Sequence, residues 1–481
     1  MAIREKFFAG DGGINILAAV AFPVIVSEAS ETVMMFVDRL FLSSLTPTHM
    51  AAAMSGGLTC FMFMTLFFGI LSYVNAMVAQ HLGAGKKSEC ATVMSQAIIL
   101  VVCFYPVLLC CRPLGIRIFD LFGHAPEQRQ LAADYFGILI FGGVFALIKV
   151  CLASFFSGIG RTRVVMLANV AAMVVNIPAN YILIFGKFGL PALGIRGAAL
   201  GTVLGGAVGA GLLIAAYAAP GIRREFNTLS FPRLNPPMMR KLLFYGGPGG
   251  IEFLLNMMAF NCLIQVLHSY GKDVAAAVTI VFSWDMVSFI PLIGLNVGVM
   301  SLGGRYMGAR QPDKAARTAY SGLAFVAVYA GVLSMLFFFF PHALIRVFTR
   351  GEGNFDVIVP LAVPMLRLVA MYVFSDGVYL VFSGLLKGAG DTRWSMAASV
   401  LIHWLLAGTA MALTLKFKLP ILTTWLVIVL EILFLGIVFY LRFLGGKWRG
   451  MAIITPPGKP AAETGAPPNL HTPPAEGSWD G

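Results

Sequence analysis

Apolar residues in this chain come in long unbroken runs, not in alternating strands or in stripes recurring every three or four positions. The stretches 92–111, 164–185, 198–219, 321–340 and 421–441 each hold about 20 residues. That length crosses a hydrocarbon layer of about 30 Å as a helix. The pattern predicts twelve spans, at 14–42, 50–80, 91–112, 131–157, 164–186, 196–219, 239–268, 274–304, 316–341, 357–386, 394–415 and 419–441. Backbone polar groups inside a bilayer must be satisfied within the protein, so only helices or closed barrels cross it. Barrel strands are shorter and alternate in polarity. The expected fold class is an all-α polytopic membrane protein with twelve transmembrane helices.

The pattern repeats. Pro23 in AFPVIV and Pro248 in GGPGGI lie 225 residues apart, and QHLGAGKK (80–87) matches RYMGARQP (305–312) at the same offset. SGIGRTR (157–163) matches KGAGDTR (387–393) at an offset of 230. Six spans bring the chain back to the side from which it started. The halves are therefore expected to be parallel six-helix repeats related by an axis along the membrane normal. Such bundles enclose a central cavity that can open to either side. The expected organisation is a first bundle at 1–222, a linker at 223–238, a second bundle at 239–450 and a disordered cytoplasmic tail at 451–481, rich in Pro, Gly and Ala.

Composition sharpens this picture. Hydrophobic residues make up 58% and charged residues only 12%, and mean hydropathy is +0.84, which excludes an ordinary soluble domain. Most of the 34 Lys and Arg fall in the N-terminal segment, in every second loop and after the last span. By the positive-inside rule both termini are expected to be cytoplasmic. The net charge of +12 is then explained by topology and anionic lipid, with no need for a nucleic-acid partner. The seven cysteines show no metal-ligand spacing and mostly lie within spans, so they read as small apolar residues. No cleavable leader pattern precedes the first span, and no GxxxxGK[ST] phosphate loop occurs.

The candidate chemistry is a set of polar groups inside apolar spans. A central Asp costs a spanning helix about 2.5–3.5 kcal/mol, while each Leu or Ile returns only about 0.3–0.6 kcal/mol. The first span nevertheless carries Glu28, Glu31 and Asp38, and at 100° per residue all three share one face. That face must line protein or water, and intramembrane acids are functional candidates. A proton, Na⁺ or a cationic cargo on Asp38 would neutralise it; the alternative is that Asp38 hydrogen-bonds its neighbours and only holds the helix. Glu28 and Glu31 either pair with Lys149 or sit in a solvated mouth, and Lys149 is either a counter-ion or snorkels. Asp376 has Tyr372 one turn earlier, and Glu252 has Asn256 one turn later. These four offer oxygen ligands for Na⁺ in the second half, since hard cations prefer oxygen. Asn176 and Asn180 form an i,i+4 pair that serves either interhelical bonding or the site. Asp285 and Glu431 read as lone acids and His403 as a packed interhelical donor. No nucleophile–base or metal constellation suggests an enzyme.

Several segments together resemble the multidrug and toxic compound extrusion (MATE) family, in its bacterial NorM-like branch, from about residue 14 to 445. The first span has Pro23 followed fifteen residues later by Asp38. Residues 155–202, with FFSGIGRTR and LIFGKFGLPALGIRGAALGT, resemble the family's most recognisable stretch, and LVFSGLLKGAGDTR (380–393) is its counterpart. FSD (374–376) lies eight residues before Gly384. The resemblance implies an antiporter that expels organic, often cationic, compounds in exchange for Na⁺ or H⁺ by rocking its halves. It implies a bacterial inner-membrane setting and a single chain working on small organic molecules, without a cofactor. A Glu is frequent in the family eight residues after the second Pro, where this chain has Asn256, with Glu252 one turn earlier. Some relatives place an Asp in the fifth span, where this chain has Asn176 and Asn180. The alternative from similar folds is a flippase for lipid-linked oligosaccharides. Against it, the deep charges are mainly acidic, which favours cationic cargo.

Overall fold

The structure is a computed structural model that describes residues 10–121, 125–228, 234–348, 355–451, 453 and 454. Most of the tail expected to be disordered therefore lies outside the described residues. The first half holds α1 (Ile14–Ser43), α2 (Pro47–Ser72), α3 (Val74–Gly83), α4 (Lys87–Cys110), α5 (Arg112–Leu121), α6 (Pro126–Gly158), α7 (Thr162–Phe185) and α8 (Ile195–Ala218). A short α9 (Pro220–Phe226) leads to the second half: α10 (Pro236–His268), α11 (Lys272–Gly308), α12 (Pro312–Phe339), α13 (Pro341–Arg346), α14 (Phe355–Ala389), α15 (Thr392–Met411) and α16 (Ile421–Leu444). No strand occurs among the described residues.

Among the described residues, twelve helical segments are long and apolar enough to span a membrane. Three of them are composite: α2 and α3 join at Tyr73, α4 and α5 join at Cys111, and α15 continues into a π-helical segment, Ala412–Lys416. Several helices outrun the apolar pattern, because a helix continues through the headgroup layer where polarity no longer reports on it. Proline at the first turn starts α6, α10 and α12, where its missing N–H costs nothing. The Asn235 side chain caps α10 by accepting from the Met238 N–H at 3.0 Å.

Two apolar cores form, one per half, and the first helix of each half is rooted in the other's core. Leu17, Val20 and Ala21 of α1 pack with the second half, whereas Leu42 at its far end packs with the first. Met238, Leu242 and Tyr245 of α10 pack with the first half, whereas Leu263 and Leu267 pack with the second. Leu17 and Leu242, like Val20 and Tyr245, are repeat mates at the 225-residue offset. The two bundles are thus interlocked by a reciprocal crossing.

The seam between the halves is built at the end of the helices nearest the chain termini. Tyr73 Oη donates to the Lys387 carbonyl (3.1 Å), Gln80 Nε2 to the Gly388 carbonyl (2.8 Å) and Ser301 Oγ to the Ser157 carbonyl (2.6 Å). Missing side chains let the backbones meet. A Cβ on Gly83 would lie 1.9 Å from the Arg305 carbonyl oxygen, and one on Gly308 would lie 2.0 Å from that of Gln80. Deeper in the bundle, Gly69 abuts Gly249 and Gly250, while Gly294 abuts Ile25.

Candidate functional site

Asp38 is 7% exposed, although it sits in a spanning helix. Its carboxylate accepts hydrogen bonds from Asn180 Nδ2 of α7 and from Thr202 Oγ1 of α8, the latter at 3.0 Å. Asn180 Nδ2 also reaches Asn176 Oδ1 at 3.3 Å. Glycines on α8 make room for this group. A Cβ on Gly201 would strike Asn180 Oδ1 at 1.8 Å, and one on Gly205 would lie 2.8 Å from Asn176 Cβ. Neutral donors from two helices thus hold Asp38, and no Lys or Arg reaches it among the ion pairs of the described residues.

Glu31 and Lys149 do pair, at 2.7 Å. Asn169 Nδ2 of α7 donates to the same Glu31 oxygen at 3.0 Å and also meets Ser27 Oγ. Glu28, one turn before Glu31, lies in the field of both Glu31 and Lys149. On α8, Gly209 leaves space beside the Lys149 stem, 3.4 Å from its Cδ.

The polar residues of the second half are arranged differently from the expected Na⁺ cluster. Tyr372 Oη donates to Asp285 Oδ1 at 3.0 Å, so Asp285 is not a lone acid. Asp376 lies within electrostatic reach of Asp285. Glu252, 3% exposed, is paired with Lys387 Nζ at 2.9 Å, and Asn256 Nδ2 donates to Ser399 Oγ at 2.8 Å. Glu252 and Asn256 are therefore bonded to Lys387 and Ser399, while Tyr372 is bonded to Asp285. Lys387 escaped notice because it stands in a loop motif near the end of its span, yet its side chain folds inward. Glu431 likewise has a partner, Thr409 Oγ1 at 2.6 Å. His403 Nδ1 lies 2.8 Å from the Ser399 carbonyl of its own helix, and its ring packs against Tyr379 of α14, 6.4 Å between centroids.

The two GxGxTR turns are anchored by ion pairs. Gly160 and Gly390 have φ of +76° and +109°, which only glycine adopts cheaply. Arg161 reaches Glu225 at 2.6 Å, and Lys87 holds the same carboxylate at 2.9 Å. The Lys87 hydrogen bond keeps Glu225 below the ordinary carboxylate pKa. In the second turn Asp391 pairs with Arg442 at 2.8 Å, and Arg393 stacks on Phe244 at 3.8 Å.

A family model described as MatE matches residues 23–182 and 248–408, one copy in each half. A probable multidrug resistance protein NorM of Thermotoga maritima is 26% identical over 79% of this chain and 81% of its own length. Another, of Photorhabdus laumondii, is 26% identical over 90% and 95%. Among solved structures, a MOP superfamily transporter from Pyrococcus furiosus aligns with TM-score 0.84 and 20% identity, covering 92% of this chain and 98% of that one. An outward-facing multidrug resistance MATE family transporter aligns with TM-score 0.82 and 20% identity, covering 92% and 97%.

Proposed function

The chain belongs to the MatE family of multidrug efflux transporters, and we propose that it works as an antiporter exporting organic cations in exchange for protons. The observation that carries this reading is Asp38, a buried carboxylate held by neutral donors only. One proton or one cargo cation satisfies it, and both together would overcharge it. Protonation makes one of the two carboxyl oxygens a donor, which weakens the bond from Asn180 or from Thr202, whichever meets that oxygen. Because those bonds tie α1 to α7 and α8, proton binding at Asp38 is linked to helix packing in the first half. One positive charge enters as one leaves, so the exchange is electroneutral, and the proton concentration ratio drives it, at about 1.4 kcal/mol for each tenfold difference.

A proton is preferred to Na⁺ because the Lys387 ammonium already occupies Glu252, where a Na⁺ ligand would be needed. Asp376, beside Asp285 and Tyr372, supplies a second protonatable centre in the other half. The termini lie on the cytoplasmic side in this reading, which rests on the excess of Lys and Arg at that end.

The test is reconstitution into liposomes with a fluorescent organic cation. A pH gradient without Na⁺ should drive cargo movement, and Asp38→Asn should reduce it to leak while the protein stays folded. Transport that requires a Na⁺ gradient at symmetric pH would exclude proton coupling. Wild-type rates in Asp38→Asn would remove Asp38 from the mechanism.

A further inference from the structure

The interior contacts of the first half have counterparts in the second. The 225-residue offset carries Glu31 of α1 onto Asn256 of α10. The 230-residue offset carries Lys149 of α6 onto Tyr379 of α14, and Asn169 of α7 onto Ser399 of α15. In the first half Lys149 and Asn169 both donate to Glu31, at 2.7 and 3.0 Å. In the second, Asn256 and Tyr379 both meet Ser399, at 2.8 and 3.2 Å. The same three positions are bridged in both halves, once by an ion pair and once by neutral groups. The fold therefore does not need charge at this place. Nor is a partly exposed ion pair worth much more than a neutral contact, because solvent screens it.

The charges of the first-half cluster also fail to balance. Helix α1 brings Glu28 and Glu31, α6 brings Lys149, and α7 brings the neutral Asn169. Lys149 is spent on Glu31, and Glu28 has no ion-pair partner among the described residues. Asn169 is 5% exposed, with its amide nitrogen on Glu31 and Ser27, while its Oδ1 is buried without a hydrogen-bond partner. Glu31 thus has in its surroundings a second carboxylate, Glu28, without an ion-pair partner, and the residue that bonds it, Asn169, carries an unmatched amide oxygen; both call for a cation that donates hydrogen bonds. The seat of Lys149 Nζ on Glu31, at 2.7 Å, shows that an ammonium group fits against one member of this cluster.

We infer that Glu28, Glu31 and Asn169 form a subsite for the N–H-bearing ammonium end of a cargo molecule, with Lys149 as the tethered ammonium that balances Glu31 when the subsite is empty. This deepens the proposed export of organic cations and rests on it for the charge of the cargo. It assigns a preference: primary and secondary ammonium ions, which donate to Asn169 Oδ1 and Glu28, bind better than quaternary ones, which carry the same charge and donate nothing.

The test is equilibrium binding to purified protein in detergent, with no gradient, using two dyes of one ring system that end in a primary ammonium or a trimethylammonium. Wild type should favour the primary ammonium by roughly tenfold, as expected for one charge-assisted hydrogen bond in a buried site. Glu28→Gln and Asn169→Leu should each bring the ratio towards one. Lys149→Met, which frees Glu31, should tighten the primary ammonium and keep the preference. Equal wild-type affinities would overturn the subsite, and so would a ratio that survives both Glu28→Gln and Asn169→Leu. Asp38→Asn should retain the ratio while losing gradient-driven flux, so failure of the antiport reading would leave this result intact.

Discussion

Gly83 and Arg305 face each other so closely that a methyl group on the glycine would overlap the arginine's carbonyl oxygen, and Gly308 and Gln80 repeat the relationship across the pseudo-twofold axis. Backbone meets backbone at both places, so no side chain can swing away to absorb an added atom.

Gly83→Ala and Gly308→Ala are therefore expected to prise apart the seam at the terminal end. Spin labels at the exposed positions 86 and 310 would report this as a longer distance. Gly211→Ala, where an added Cβ meets nothing within 4 Å, should leave the distance unchanged. An unchanged distance in Gly83→Ala would mean that other contacts hold the seam.

The Glu252–Lys387 pair gives a stability prediction. Lys387→Met strands a carboxylate that is 3% exposed, and breaking a buried pair costs about 3–5 kcal/mol. Adding Glu252→Gln removes the stranded charge and should recover most of that loss. Thermal unfolding of the two single variants and the double variant closes the cycle. Simple additivity of the two losses would show that the residues do not interact.

Acid sensitivity follows from carboxylates outside the membrane. The hydrogen bond from Lys314 lowers the Asp11 pKa from 3.8, and that from Lys87 lowers the Glu225 pKa from 4.5. Both folded-state values lie below the unfolded ones. Their stabilisation is therefore complete above the unfolded pKa and is lost as pH falls through the folded one. Both sites are open to solvent, so the effects are small. Melting temperature should not respond to these groups between pH 5 and 8, and should begin to fall near pH 4. Asp11→Asn should flatten part of that fall.

The spans, the repeat and the presence of acids within the apolar runs were legible in the sequence, because each is a property of position along the chain. The partner of each acid was not. Lys149 could be matched to Glu31 because both lie deep in spans, whereas Lys387 stands within three residues of its helix end and still reaches Glu252. Asp285 seemed solitary because Tyr372 belongs to another helix whose rotation no periodicity reveals. The crossing of α1 and α10 into the opposite cores was equally hidden. Their apolar residues read alike whichever half they pack against, and it is glycines such as Gly69, Gly250 and Gly294 that mark where these helices meet the other half.

On α8, Gly201, Gly205 and Gly209 stand one turn apart and face Asn180, Asn176 and Lys149 in that order. The polar interior of the first half is thus written twice, once in the side chains that carry it and once in the side chains withheld opposite them. A methyl group at Gly201 would displace Asn180, and with it a donor to Asp38, without altering a single ionisable residue. The chemistry of the acids depends on a row of positions that carry no chemistry of their own.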